Sequence, residues 1–469
     1  MLYWRLPRFQ KPILLVASYI FYMSWLPVYG LLLFGLTIVN YWLGLLVEKH
    51  RSRPLLTLAI LLNVGALCYY KYANFFIEGL FKTQQAFFHV THQAAPLAQA
   101  PVLNIILPLG ISFFVFEFIH YIVDVHRGAK AIHKPLDFFV FASFFPSQIS
   151  GPIKRYQDFD KQLNEPKQLK KDDVLEGIAF FLKGMFKKKA LADNIGLLTA
   201  FGAGTAHSIG TVDAWAVMVA FALQVYFDFS GYTDMGIGSA RLLGIHLPNN
   251  FNLPYIASKN MIELWQRWHI TLTTWLRDYV LTPISGFRAS KLRFHLATMI
   301  TMTACGLWHG AAWHFVAWGF LHGIVLVATR EYQQIIREHE FLRRIHGHKW
   351  ANPLAVLGTF FQWSFLAVFF LAKSTQDAVS MITHMFVYTP GTDIAMQFVQ
   401  SPFPMAFALY CLYGLIFIDI PWLKLPSIRQ AAPILLQRTP TRLALSVACF
   451  LATIALTPGH TSPFIYFQF

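Results

Sequence analysis

The sequence predicts an all-α, polytopic integral membrane protein, on three observations. Apolar residues make up 56% of the 469-residue chain and charged residues 13%, against roughly 25% charged in an ordinary soluble domain. Apolar stretches of about 20 residues recur along the chain, the length a helix needs to cross a hydrocarbon core of about 30 Å. Lys and Arg gather in alternate connections between those stretches, as cytoplasmic loops require. Together these exclude a soluble enzyme and a disordered chain.

Taken in order, the expected spans cover residues 12–26, 28–47, 55–72, 102–125, 135–149, 214–229, 294–308, 311–329, 353–371, 404–420 and 443–456. That makes about eleven transmembrane helices, the shorter ones tilted or re-entrant, with further interfacial helices between them. The first apolar run is followed by another after Pro27 and not by a small-residue cleavage site, so it is expected to stay in the membrane. No repeat, low-complexity tract or long linker divides the chain, which argues for one domain over residues 1–469 with its motifs in 140–330.

Orientation follows from the basic loops. Arg5, Arg8 and Lys11, the 49–53 loop, the 127–134 loop, the 330–349 loop and the 424–442 loop are basic, whereas 73–100, 372–403 and the segment after Pro458 are not. The N-terminus is therefore expected in the cytoplasm and the C-terminus outside, in the periplasm of a bacterial inner membrane. The formal charge of +15 belongs to these loops, so membrane lipids are expected partners and nucleic acid is not. Cys68, Cys305, Cys411 and Cys449 each lie in an apolar run, and four free thiols are expected.

Two segments depart from the span pattern. Residues 150–189 are polar and Lys-rich, with Lys167, Lys170, Lys171, Lys183, Lys187, Lys188 and Lys189 around a short apolar stretch. A helix at the cytoplasmic surface, drawn to anionic lipid or contributing to an anionic donor site, fits that pattern. Residues 260–283 are amphipathic, with Ile262, Trp265, His269, Leu272, Leu276 and Tyr279 near one helical face, so this helix lies in an interface or lines a cavity.

Chemistry is sought among polar groups inside apolar segments, because ionisable side chains at membrane depth are costly and face a cavity or a partner. Gly306-Leu307-Trp308-His309-Gly310 and Gly319-Phe320-Leu321-His322-Gly323 are small-residue helix-packing patterns whose histidines are either satisfied in the interior or functional. In the functional reading His309, with no nearby acidic residue in sequence, takes a proton from an incoming hydroxyl. Cys305 stands four residues before it, which leaves packing or a Cys-His nucleophile open. Trp265-Gln266-Arg267-Trp268-His269 sets an imidazole and a guanidinium among aromatic rings, either snorkelling to headgroups or walling a tunnel. Asp228 and Asp234 flank Gly231, a glycine expected to break the helix; the pair is read as a scaffold, ion-paired to Arg241 or Arg267. No metal site is expected: His309 and His314 are five apart and neither HExxH nor CxxC occurs.

Several of these blocks resemble the membrane-bound O-acyltransferase family, in the bacterial branch that holds alginate O-acetyltransferases and teichoic-acid D-alanyl transfer proteins. The matching segments are Phe144-Phe145-Pro146 with Ser150-Gly151-Pro152-Ile153, the Phe227 to Gly238 run, Leu243-Gly244-Ile245 with Pro248 to Asn252 and Pro254-Tyr255, Trp265 to Asp278, Gly306 to Trp313, and Trp318-Gly319 to His322-Gly323. The ending from Phe464 to Phe469 resembles the alginate branch more closely. The resemblance implies a many-helix fold around a tunnel, His309 as the catalytic histidine and His269 as the second characteristic one. It also implies an acyl donor from the cytoplasm, acetyl-coenzyme A first, and no bound cofactor. The acceptor it implies is a polysaccharide or a periplasmic acyl-acceptor protein.

Two features depart from the family pattern. Met1 stands close before Leu6-Pro7-Arg8, where members carry a further hydrophobic helix, so a truncated or alternative start is expected. Residues 284–293 are also shorter than the usual glycine-rich loop.

On this reading His309 is the general base on an acceptor hydroxyl that attacks a thioester. His269 or Arg267 positions a substrate, and Trp308 or Trp313 steadies the oxyanion. Asn250, Trp265, Trp268, Asp228, Asp234, His322 and Cys305 support the tunnel. The rivals are a polysaccharide or lipid transporter with gating histidines, and a non-catalytic assembly protein, both separated from the enzyme by thioester turnover; within the enzyme reading the alternative is D-alanyl transfer to a cell-envelope polymer.

Overall fold

Helices account for all regular structure in the computed structural model, which describes residues 2–91, 100–149, 151–252, 257–286, 288–391, 394–417, 439–459, 462, 464 and 465. Ser150, Pro254, Tyr255, most of the 424–442 loop and residues 466–469 lie outside these. Cα packing groups the chain into two compact units, where the sequence reading treats 1–469 as one domain. One unit holds residues 1–149, 153–167 and 310–312, and the other holds 150–152, 168–309 and 313–469.

Among the described residues, four helices are long and apolar enough to cross a membrane: Val28–His50, Arg53–Val90, Thr211–Leu242 and Ala351–Leu371, with Leu443–Leu456 a shorter apolar one. The chain is thus an all-α membrane protein, although length and composition qualify fewer helices than the eleven spans expected.

In the first unit the expected span at 55–72 runs on through a wider π-type turn, Cys68–Tyr72, into Ala73–Val90, so much of the expected 73–100 loop is helix. The expected span at 102–125 is helical only over Ile111–His126. Pro101 and Pro108 supply no N–H, and Gly110 turns the chain at φ +69, where a Cβ would meet the Gln148 carbonyl oxygen at 2.5 Å. Residues 135–149 divide into Pro135–Ser143 and Phe145–Gln148, because Pro146 cannot continue the hydrogen-bond ladder. Asn40 and Asn63 bond reciprocally at 3.1 and 2.7 Å, tying two helices where each amide would otherwise face apolar surroundings. Glu117 and Lys154 form a buried ion pair at 2.7 Å, both ends satisfied as burial demands.

The second unit is built around Thr211–Leu242, whose 32 residues extend about 48 Å. Lys171–Phe186, the π-type turn Lys187–Ala192 and Asp193–Gly204 form one continuous helical run along it. The run is not a surface helix: glycines seven apart let the backbones touch. A Cβ on Gly184 would meet the Gly231 carbonyl oxygen at 2.5 Å, and one on Gly238 the Gly177 carbonyl oxygen at 2.6 Å. Gly231 therefore does not break the helix; it permits the crossing.

The residue 260–283 segment, expected as one amphipathic helix, splits into Met261–Arg267 and Ile270–Leu276. Lys291–His309 packs on Trp313–Glu338 through Gly306 and Gly319. The basic 330–349 loop is largely helical, as the end of Trp313–Glu338 and Glu340–Gly347.

Candidate functional site

The break in the 260–283 segment is specific in sequence. Asn260 caps the first helix by accepting from the Glu263 N–H at 2.9 Å, while Glu263 accepts from the N–H of Lys259, the residue before the cap, at 2.9 Å, a one-residue variant of the capping box. Glu263 also pairs with Arg267 at 2.7 Å. Arg267 is thus held along its own helix, and Asp228 and Asp234 find other partners.

At the break His269 takes a left-handed conformation, φ 44 and ψ 52, one of two non-glycine residues with positive φ among those described. Such a conformation costs energy and is kept only where the surroundings over-determine it. They do here. The Asn252 N–H donates to the Arg267 carbonyl and the Ile270 N–H to the Asn250 carbonyl, both at 2.9 Å. The Asn250 side-chain oxygen accepts from His269 Nδ1 at 3.1 Å and from Thr271 N and Oγ1 at 3.2 and 2.9 Å. An amide oxygen only accepts, so Nδ1 carries the proton and Nε2 carries the lone pair. Nε2 has no hydrogen-bond partner among the described residues.

His309 ends the Lys291–His309 helix, 5% exposed. Its ring lies 5.1 Å from Trp318, 5.2 Å from Phe370 and 4.9 Å from Trp308. Trp308 also neighbours His269, at 6.3 Å, so one indole stands beside both imidazoles. His309 lines a chamber with Trp268, Trp318, Trp363 and Phe370, closed further by Phe221, Val225 and Ala367. No carboxylate is in that lining. The chamber encloses about 20 Å³, room for about one water. An open passage past position 309 was the expectation; among the described residues, large aromatic rings packed edge to face narrow the space beside His309.

The remaining candidates sort by position. Trp265 and His322 are buried behind the chamber: His322 contacts Trp318, Trp265 and Trp363 at 4.5, 5.5 and 5.4 Å. Cys305 is fully buried in the helix that carries His309. Trp313 is 64% exposed, and the chamber lining does not include it. Asp234 pairs with Lys187 at 2.8 Å and Lys183 at 3.2 Å, and Asp228 with Lys188 at 2.9 Å. These lysines replace the expected arginine partners, since Arg241 pairs with Glu176 and Arg267 with Glu263. Burial of Lys187 and Lys188 removes both from any lipid-facing role.

Sequence reading missed Trp363 and Phe370, two walls of the chamber. They lie in an apolar span with no motif, and only their distance from His309 in the fold marks them. Among the described residues no three His, Cys, Asp or Glu side chains group as metal ligands.

Comparison with known proteins places the chain in a family. The model of the membrane-bound O-acyltransferase family matches residues 37–372. A probable alginate O-acetylase AlgI of Pseudomonas aeruginosa is 37% identical, over 81% of this chain and 70% of that protein. The probable AlgI of Azotobacter vinelandii is 32% identical over 98% of this chain and 95% of its own length. The peptidoglycan O-acetyltransferase of Helicobacter pylori is 33% identical over 81% of this chain and 74% of that protein. Because the family match runs from within the Val28–His50 helix to just past Ala351–Leu371 and takes in both histidines, the chain belongs to the membrane-bound O-acyltransferase family.

Proposed function

We propose that this O-acyltransferase moves an acetyl group from acetyl-coenzyme A on the cytoplasmic side to a hydroxyl on, or destined for, an extracytoplasmic polysaccharide, with His309 as general base. The observation that carries the reading is the placement of His309 on the wall of a buried aromatic chamber, at the end of a helix. The names of the relatives, alginate O-acetylase and peptidoglycan O-acetyltransferase, support acetyl as the group and a cell-envelope polymer as the acceptor. The alternation of basic loops supports a cytoplasmic N-terminus in a bacterial inner membrane.

In the mechanism, the acceptor hydroxyl gives its proton to the His309 imidazole as its oxygen attacks the thioester carbonyl carbon. The tetrahedral oxyanion collapses, the carbon–sulfur bond breaks, and the departing thiolate takes the proton from the imidazolium. Proton transfer of this kind contributes about 10² to 10⁴ in rate. His269, with its tautomer fixed by Asn250, presents Nε2 to position a reacting group. A chamber of about 20 Å³ admits neither substrate as it stands, so aromatic walls such as Trp363 and Phe370 must swing aside during turnover. Closure at other times keeps water from the thioester.

Purified protein supplied with acetyl-coenzyme A labelled in the acetyl group, together with membrane and polymer fractions, tests the reading. Label is expected in the polymer or in a secreted acceptor. Substrate movement across the membrane without thioester consumption would favour a transporter and overturn it.

A further inference from the structure

A cluster of buried charges begins at Asp228, three residues along the central helix from Val225 in the chamber lining. Lys188 reaches Asp193 at 2.8 Å and Asp228 at 2.9 Å, and donates to the Ser462 carbonyl at 2.9 Å. Ser462 Oγ donates to Asp193 at 2.7 Å, and the Ile465 N–H donates to Asp228 at 2.7 Å. Ser462 and Ile465 are thus both fastened to one buried ion cluster. Phe464, between the fastenings, is 1% exposed. Its ring lies 4.3 Å from Tyr232 and 6.4 Å from Phe229, and Phe229 meets the His269 imidazole edge to face at 4.6 Å.

We propose that Phe464, clasped by Asp228, Lys188 and Asp193, is a positioning residue that acts through Phe229 to fix the plane of the His269 ring; the inference rests on the role given to His269 above. The hydrogen bond from Nδ1 to Asn250 holds one corner of the imidazole, and small changes in χ1 and χ2 still let the far edge rock. Phe229 stops the rocking on one side, and Phe464 stops Phe229 from retreating. A small angular release at Nδ1 becomes a displacement at Nε2, where a reacting group would be held.

Phe464→Ala, Phe464→Leu and His269→Gln, each as the full chain in detergent, are compared for acetyl-coenzyme A consumption and thermal melting. Phe464→Ala is expected to lower kcat on the order of tenfold to a hundredfold with KM for acetyl-coenzyme A near that of the parent, and, as the truncation of a buried aromatic ring, to lower the melting temperature as well, so rates are compared at a temperature where every variant is folded. Phe464→Leu, which refills the space, should recover most of the rate. Parental kcat in Phe464→Ala with impaired His269→Gln overturns the inference alone. Parental kcat in His269→Gln overturns the role of His269 and the inference with it. Equal losses in both Phe464 variants, in step with falling melting temperature, would make Phe464 a fold residue only and also overturn the inference.

Discussion

Gly306→Ala is the perturbation whose effect can be worked most directly from the helix crossing beside His309. A Cβ at Gly306 would fall on the Phe315 carbonyl oxygen and lie 2.9 Å from Gly319 N and 3.0 Å from Gly319 Cα. Carbon contacts settle at about 3.5 to 4.0 Å, and the nearest atoms are rigid backbone. Lys291–His309 and Trp313–Glu338 must therefore part by on the order of 1 Å. Overpacking of this kind costs about 1 to 3 kcal/mol. His309 lies three residues further along and its ring faces Trp318 across the same crossing. A misplacement of about 1 Å costs on the order of 10²-fold in rate, so activity should fall far more than stability. The assay is acetyl transfer in membranes alongside thermal melting of purified protein. Gly35→Ala, where nothing lies within 4 Å of the new Cβ, is the control and should match the parent. Equal behaviour of the two variants would refute the reasoning.

Three further outcomes follow from the same contacts. Asn250→Ala strands the Nδ1 proton of His269 and both Thr271 donors; each buried group left unpaired costs about 1 to 3 kcal/mol, so melting temperature and kcat should both fall, and an unchanged melting curve would contradict the hydrogen-bond assignment. Lys188→Met leaves Asp228 buried without its cation and Asp193 with only the longer pair to Lys189 at 3.3 Å, a loss of about 3 to 5 kcal/mol that size-exclusion profiles and melting should register; parental stability would show that the cluster carries little. Cys305→Ala should keep acyl transfer within about twofold, because a buried thiol in a helix packing face acts as a small apolar group; loss of turnover with a normal melt would revive a thiol nucleophile.

Much of the fold was legible because lipid imposes simple rules. The Val28–His50 and Ala351–Leu371 helices follow from length and apolar composition alone. The misread boundaries all involve tertiary packing or backbone chemistry that hydropathy does not register. Residues 102–110 are apolar enough for a span, yet prolines and a positive-φ glycine keep them out of a helix. Gly231 looks like a helix breaker by propensity, but a second helix lies against it and the missing side chain becomes the contact. Lys187 and Lys188 read as a cytoplasmic surface run, since nothing local shows that Asp234 and Asp228 wait inside to pair with them.

At the site, His309 and His269 stood out as polar groups in apolar motifs, and Asn250 entered only through the family resemblance. Their division of labour did not: the left-handed turn at His269 and the tautomer set by Asn250 depend on a loop nearly twenty residues away meeting the helix break. Trp363 and Phe370 were invisible, being aromatic residues in an aromatic-rich chain, and Phe229 and Phe464 lay in segments that carry the resemblance with nothing to mark a role of their own.

The most direct test of the central claim is the rate of acetyl transfer by His309→Gln, purified and shown to melt like the parent. The account predicts a fall of about 10² to 10⁴, with thioester binding retained. A folded His309→Gln protein that transfers acetyl within tenfold of the parent rate would contradict it.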